Sequence, residues 1–416
     1  MDSTLIIFLL VYLALALGYL PGFRLDRTGA AVVGGMAMIG FGGIDAQQAW
    51  VAIDYQTIGL LFGLMIVSGA FTVSGFYGWA AARVASMQVA PPVLLALLIV
   101  MGAVLSSVLT NDVVVVAMTP LLVSITMSRG LNPVPFLLGF CFATNTGATA
   151  TLIGSPQNMI AAQALDLSFM GFMGVTLVPA LISLPLVWGV ILAIYRHDWT
   201  MAAPAGTAPA TRTAVPTIDL YETAKAAIVT LAVIAAFILT DWPREVVALM
   251  GASVILLNRK AGQVSSQQVM TTVDGNLLLL LAGLFVVNEA LSRTGMPQHL
   301  IHVLQGMGVD FSSPSVLFLA ASALSNIVGN NPAVMLLVPF LSDAAGAGST
   351  ALGAALALGT GFSSNMIIFG SLAGIIVVEQ AAQRGVTITM REFCRAGVPV
   401  TALCVVLALA WIAFLG

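Results

Sequence analysis

The sequence predicts an all-α polytopic membrane protein built from two inverted repeats of five transmembrane helices, each repeat carrying a re-entrant hairpin and a broken helix. Three observations lead there. Of the 416 residues, 59% are hydrophobic and only 7% charged, with a mean hydropathy of +1.05, whereas a soluble domain carries about 25% charged residues. The chain repeats its own polar landmarks in order. Its basic residues segregate to one face only if a particular topology is drawn.

Each crossing needs ~20 apolar residues, so the chain has room for ten or eleven crossings with short loops. Apolar runs fall at 4–20, 28–43, 56–75, 91–109, 112–128, 134–149, 157–165 and 172–195. They resume at 220–240, 244–257, 275–292, 314–329, 332–345, 350–364, 371–380 and 396–415. Met1-Asp-Ser-Thr leads directly into the first run with no basic stretch before it, so that run reads as a retained span rather than a signal peptide. The Pro/Ala/Thr-rich stretch after Met201 reads as a linker. The organisation is therefore a first repeat over 1–200, a linker over 201–219 and a second repeat over 220–416.

The repeat is carried by polar positions. Asp54-Tyr-Gln-Thr-Ile-Gly-Leu-Leu-Phe-Gly63 aligns with Asp274-Gly-Asn-Leu-Leu-Leu-Leu-Leu-Ala-Gly283, and Ser74-Gly75 falls on Thr294-Gly295. Asn111-Asp112 then falls on Asn330-Asn331, Pro120 on Pro339, Thr151-Leu-Ile-Gly-Ser155 on Ile367-Ile-Phe-Gly-Ser371, and Gln163 on Glu379. If 91–128 enters and leaves on one side, and 134–165 is one helix interrupted at Ala148–Gln157, each half crosses five times and the second half is inverted. With Arg24 and Arg27 placed in the cytoplasm, twelve of the fourteen Lys and Arg residues lie inside, and only Arg244 and Arg293 lie outside. That bias is what the positive-inside rule requires. The reading gives a multi-pass protein of the cytoplasmic (inner) membrane with both termini outside. Trp50, Trp199 and Trp242 sit beside the boundaries, where interfacial anchors belong.

Four polar clusters interrupt the apolar runs. Two are hairpin tips, with Thr110, Asn111 and Asp112 in one and Asn326, Asn330 and Asn331 in the other. Two are helix breaks, with Asn145, Thr151, Gly154, Ser155 and Asn158 in the first and Ser364, Asn365 and Ser371 in the second. Pro156 should end a half-helix, because proline restricts the residue before it and lacks an amide donor. Irregular backbone at membrane depth is tolerated only where protein or a water-filled cavity satisfies it. Inverted repeats with broken helices meeting near the midplane are the pattern of secondary transporters. Small polar residues also pack helices together in lipid, and scattered positions such as Gly34-Gly35 are read that way.

Asp112 carries two readings at once. A charge in hydrocarbon costs about 2.5–3.5 kcal/mol on insertion scales, so it should face protein or water and can carry a proton or cation. It can equally cap the helix that starts at Val113. Its mate Asn331 is neutral, so the two tips should not do the same job. Glu289 and Glu379 read as interfacial, and His299 and His302 as solvated loop residues.

Several functions are disfavoured. The net charge of −3 gives no nucleic-acid footprint. Gly154-Ser-Pro is not followed by the Gly-Lys-Ser/Thr of a phosphate loop, and no HExxH occurs. No histidine lies at membrane depth to build a Ser/His/Asp set. Cys141, Cys394 and Cys404 are unclustered and form no metal motif. No cofactor or resident metal is expected, and the chain reads as a carrier rather than an enzyme. A passive channel or structural protein is the contrasting class.

At these clusters the chain resembles the ion transporter superfamily, which covers arsenite efflux permeases of the ArsB type, sodium/proton antiporters of the NhaD type and divalent-anion/sodium symporters. Residues 151–158, Thr-Leu-Ile-Gly-Ser-Pro-Gln-Asn, match the Gly-Thr/Ser-Pro-Pro-Asn segment of the anion symporters, but the hairpin tips of that branch carry Ser-Asn-Thr. The arsenite permeases look closer. Their tips carry Asn-Asp followed by an apolar run and Thr-Pro, as in Asn111-Asp112 to Thr119-Pro120, and Asn-Asn-x-Pro, near Asn330-Asn331-Pro332. A late Gly-Ser-Leu-Ala matches Gly370-Ser-Leu-Ala373. The resemblance implies a transport part (91–165 and 314–383) moving as an elevator against a scaffold, commonly in a homodimer. It also implies export of arsenite or antimonite in exchange for protons, with Asp112 coupling and, in some such pumps, a soluble ATPase partner. The clusters contain Asp112, amides and hydroxyls but no Arg or Lys, which suits a neutral hydrogen-bonding solute or a cation better than a dianion. A sodium/proton exchanger or an anion carrier of the same superfamily remains the alternative.

Overall fold

The protein is described here from a computed structural model covering residues 3–20, 22–41, 43–200, 217–257, 264–297, 299, 303, 306, 309–344 and 349–415. Most of the linker, with Arg212, and also Arg259, Lys260 and His302 lie outside the described residues. The described residues form helices and no extended strand, with two isolated bridges at Tyr19–Asp26 and Leu131–Thr200.

Side chains and prolines set the helix starts. Asp26 caps α2 (Arg27–Gly40), Asp54 caps α4 (Tyr55–Val73), Asp219 caps α11 (Leu220–Leu239) and Asp274 caps α14 (Gly275–Ser292). Each accepts from backbone amides of the first turn, which satisfies donors left bare by the helix geometry. Proline opens α6 (Pro91–Val108), α8 (Pro133–Ala148), α9 (Pro156–Ala164) and α15 (Pro314–Val328), where its missing N–H costs nothing. The remaining long elements are α1 (Ser3–Leu17), α7 (Asn111–Ser128), α10 (Phe169–Tyr195), α12 (Arg244–Leu256), α17 (Ser349–Ser363), α18 (Leu372–Ala382) and α19 (Met390–Leu415). Seven helices among the described residues are long and apolar enough to cross a membrane.

Three short helices were not anticipated: α3 (Ala46–Ala52), α5 (Phe76–Ala85) and α13 (Ser266–Met270). The first and last begin with capping boxes, Asp45 with Gln48 and Ser265 with Gln268. Each box stands nine positions before the aspartate that caps the following span, Asp54 or Asp274. The run expected over 332–345 is shorter than it reads, since α16 (Asn330–Leu337) passes at Val338 into a 3₁₀ segment ending at Ala344.

Two helix pairs hold much of the core. α4 packs on α12 and α2 on α14. A Cβ on Gly63 would stand 2.6 Å from the Ala248 carbonyl carbon, and one on Gly283 would stand 2.5 Å from that of Ala31. Only glycine admits such close backbone approach, and these are the two glycines that the sequence alignment above sets against each other. α8 sits at the centre, every one of its residues buried, and packs on α6, as α17 packs on α15. A helix apolar on all sides belongs in a protein core. Of the boundary tryptophans, Trp50 and Trp242 are exposed, but Trp199 is partly buried and packs against Phe136 with ring centroids 5.7 Å apart.

Candidate functional site

The first hairpin, α6 and α7, ends inside the protein. At its base, the Arg129 guanidinium donates to the Met87 and Val89 carbonyls (3.3 and 3.0 Å), holding the two helix ends side by side. At its tip Leu109, Thr110 and Asn111 are all buried, whereas a loop at the far face of a membrane would meet water. Thr110 is the N-cap residue and its hydroxyl lies 3.5 Å from that of Ser68. The helix starts at Asn111, so Asp112 falls within the first turn and makes no capping bond. The expected capping of the helix by Asp112 is therefore not observed, because Thr110 already holds that position. The Asp112 carboxylate accepts no hydrogen bond among the described residues and still lies at the favourable, positive end of the helix dipole.

The second tip turns at Gly329, whose φ of +93° is a conformation that favours glycine. There Ser325 Oγ donates to Asn330 Oδ1 (2.8 Å), and Asn330 Nδ2 donates to Ser364 Oγ (3.0 Å) in the second break. The breaks themselves are short 3₁₀ turns, Leu152–Gly154 and Ile368–Gly370, between α8 and α9 and between α17 and α18.

Asn145 ties these parts together. Its Nδ2 donates to Asn365 Oδ1 (2.9 Å) and Ser371 Oγ (3.0 Å), and its Oδ1 faces Asn111 Nδ2 at 3.5 Å. Asn365 Nδ2 in turn donates to the Phe142 carbonyl. The first tip, the first broken helix and the second break thus share one polar network, and Ser364, next to Asn365 in the chain, ties the second tip to that break.

A cavity of about 260 Å³ opens beside this network. Among the predicted site residues, Asn111, Asp112, Asn330, Asn331 and Ser371 line it. The others support it from behind. Asn158 Nδ2 donates to the Ala148 and Thr151 carbonyls freed by the first break (2.9 and 2.8 Å), and Thr151 Oγ1 donates to Ser107 O. Gly154 is required because a Cβ would stand 2.2 Å from the Ala148 carbonyl oxygen. Asn326 Nδ2 bonds back to Ser322 O, and Ser155 is fully buried with no partner for its hydroxyl among the described residues.

Two features of the cavity escaped the sequence reading. Arg27, at the start of α2, lines it, so the expectation of a site without Arg or Lys is corrected. The packing of α2 on α14 brings that guanidinium to the tip, across a separation in sequence that motif inspection does not bridge. Asp274, Asn276 and Gln157 line it as well, and only the Asp54–Asp274 match hinted at the first. Two buried acceptors, Asn111 Oδ1 and Asn331 Oδ1, find no donor among the described residues. On another part of the molecule a larger cavity, about 580 Å³, is lined by Gln56, Gln163, Asp166, Arg244 and Glu245. There Gln163 Nε2 donates to Gln56 Oε1 (2.8 Å), and Arg244 donates to the Leu167 carbonyl.

Comparison with known proteins agrees with a carrier. An uncharacterized transporter of Mycobacterium tuberculosis is 28% identical over 408 residues, 92% of each chain. The silicon efflux transporter LSI3 of Oryza sativa subsp. japonica is 24% identical over 425 residues, covering 87% of this chain and 86% of its own. The putative transporter arsB of Dictyostelium discoideum is 29% identical over 174 residues, 42% of this chain and 31% of its own. The crystal structure of the YdaH transporter of Alcanivorax borkumensis superposes with a TM-score of 0.58 at 17% identity, covering 99% of this chain and 97% of that one, a likeness of fold. The citrate transporter family model matches residues 6–361, and with a polytopic helical fold around a polar cavity the chain is a membrane transporter belonging to that family.

Proposed function

We propose that the protein is a proton-coupled secondary carrier exporting arsenite or antimonite across the cytoplasmic membrane. The observation that carries this reading is the pair of donor-less acceptors, Asn111 Oδ1 and Asn331 Oδ1, beside the Asp112 carboxylate in a cavity of about 260 Å³. Buried acceptors without donors are costly, about 1–3 kcal/mol each. A small solute that presents several hydroxyls satisfies them together, and the undissociated acid of arsenite does so without bringing charge. The silicon efflux relative is named for an element whose oxyacid shares that chemistry.

In this reading the two halves are inverted repeats, and the hairpins with their broken helices (91–165 and 314–383) move as an elevator against the remainder. The ionised Asp112 carboxylate accepts solute hydroxyls; a proton taken up from outside cancels that attraction and releases the solute. A homodimer in the inner membrane, with termini outside, and in some settings a soluble ATPase partner belong to the same reading. Arg27 favours a second one, a sodium- or proton-coupled carrier of carboxylates, since its guanidinium can pair with an anion in the same cavity.

Uptake into inside-out vesicles separates the two. The export reading expects arsenite uptake that rises with an imposed proton gradient and loses that dependence in Asp112→Asn. Citrate uptake with no arsenite uptake would replace it with the carboxylate reading, and Arg27→Gln would then abolish transport.

A further inference from the structure

The two repeat-related aspartates that open α4 and α14 are used differently. Asp54 is saturated: its Oδ1 accepts from the Gln56 and Thr57 amides, and its Oδ2 accepts from the Thr57 hydroxyl at 2.5 Å. Asp274 accepts only from the Leu277 amide, at Oδ1 (3.0 Å). Where the first half has Thr57, the second has Leu277, so Asp274 Oδ2 is left without a donor among the described residues. The pattern is not a loss of capping, since the amide bond is kept. The free oxygen belongs to a residue that lines the same cavity as Asp112, so two carboxylates share one space.

We propose that Asp112 and Asp274 together form a monovalent-cation site, spanning the first hairpin tip and the N-terminus of α14. The oxygens available to the cation are the Asp112 carboxylate, Asp274 Oδ2 and the donor-less Oδ1 atoms of Asn111 and Asn331, with Asn111 only 4% exposed. An all-oxygen set suits a hard cation, and a shared proton uses the same carboxylates. Charge decides the valence. The charged side chains that line the cavity are Arg27 from α2, Asp112 from α7 and Asp274 before α14, which sum to −1; Gln157, Asn276, Asn330 and Asn331 are neutral. One monovalent cation brings the cavity to zero, the state that low dielectric favours.

This inference rests on the carrier reading above but not on its solute. It adds that cation and solute use the same oxygens in turn, which makes exchange obligatory. It also means that the carboxylates repel, hindering approach of the tip to α14, whenever no cation is present.

The test uses the purified full-length protein in detergent with no solute, so its failure is separate from failure of the vesicle uptake. Thermal unfolding is followed against pH and against sodium, with choline as the control ion. A bound cation raises the midpoint in a concentration-dependent way. The expected result is a rise on acidification, on adding sodium, or both, that Asp112→Asn and Asp274→Asn each abolish, the double variant matching either single one. Asparagine still caps α14, so Asp274→Asn keeps the fold, and Asp54→Asn is expected to keep the full cation response. A sodium effect at constant pH assigns the site to sodium; a pH effect alone assigns it to a proton. The proposal is overturned if Asp274→Asn responds like the wild type, or if no cation shifts the wild-type midpoint in a way that both substitutions remove.

Discussion

Replacing Asn145 by alanine should be the most damaging single change in the polar centre. Asn145 is 2% exposed and makes three side-chain contacts, to Asn365 at 2.9 Å, Ser371 at 3.0 Å and Asn111 at 3.5 Å. Interhelical side-chain hydrogen bonds in membrane proteins average about 0.6 kcal/mol, so three give roughly 2 kcal/mol. The loss is not evenly spread. Ser371 Oγ keeps the Gly374 amide as a donor (3.0 Å), but Asn365 Oδ1 is left bare, and an unsatisfied buried acceptor costs about 1–3 kcal/mol. The total expected for Asn145→Ala is about 3 kcal/mol, a factor of roughly 100 in the folding equilibrium. Asn111→Ala breaks only the long 3.5 Å contact, and the acceptor it bares on Asn145 is offset by removal of the already bare Asn111 Oδ1, so it should cost under about 1 kcal/mol. Equilibrium unfolding in mixed micelles measures both, and a double-mutant cycle with Asn365→Ala should return a coupling of about 1 kcal/mol. An Asn145→Ala cost no larger than that of Asn111→Ala, or strict additivity with Asn365→Ala, would refute the claim that Asn145 joins the two broken helices.

Other expectations follow from the packing. Gly283→Ala and Gly63→Ala should each destabilise by about 1–3 kcal/mol, since the new Cβ would press on the Ala31 or Ala248 backbone, whereas Gly189→Ala meets nothing within 4 Å and should be neutral or stabilising. In a variant lacking Cys141, Cys394 and Cys404, the pair Asp112→Cys and Asn331→Cys should be bridged by a short bifunctional thiol reagent, because both positions line one cavity. Asp112→Cys with Gln163→Cys should not be bridged, since Gln163 lines the other cavity; equal bridging of the two pairs would contradict the geometry. Arg129→Gln should loosen the base of the first hairpin and speed amide exchange at residues 86–90, the segment whose carbonyls it holds, while an unchanged exchange rate would assign that clamp no role.

What was legible in the sequence was whatever local chemistry announces. Proline at 91, 133, 156 and 314 and aspartate at 26, 54, 219 and 274 mark helix starts by rules that act within one turn, and the structure places helix starts there. The tips at Asn111 and Asn330 were legible because polar groups in an apolar run need an explanation. The short helices α3 and α13 could have been found from Asp45-x-x-Gln48 and Ser265-x-x-Gln268, had capping boxes been weighed beside apolar runs. Arg27 could not. It read as a loop charge because its position in the cavity depends on α2 packing against α14, with Gly35 and Gly283 in close backbone approach. Nor could sequence separate Asn158, which serves the freed carbonyls of the break, and Thr151, which donates to the Ser107 carbonyl of the first hairpin, from Asn111 and Asn331, which line the cavity.

That separation is itself the argument for where chemistry happens. A polar side chain buried in an apolar protein must recover its lost hydration, and several here do so internally: Asn145 with Asn365 and Asn111, Asn330 with Ser325 and Ser364. Such closed pairs brace the breaks and have little left to offer a solute. Asn111, Asn331, Asn158 and Asn326 each leave the side-chain oxygen without a donor among the described residues, but of these four Asn111 and Asn331 alone line the cavity. Both belong to the tips, beside Asp112, and both face the cavity rather than the interior of a helix bundle. A purely structural role would favour pairing them off, as Asn145 and Asn330 are paired. Free acceptor oxygens in a cavity that also holds a carboxylate are what a solute with several hydroxyls would meet, and that chemistry, more than the presence of polar residues, is why we propose the tips as the working part of the carrier.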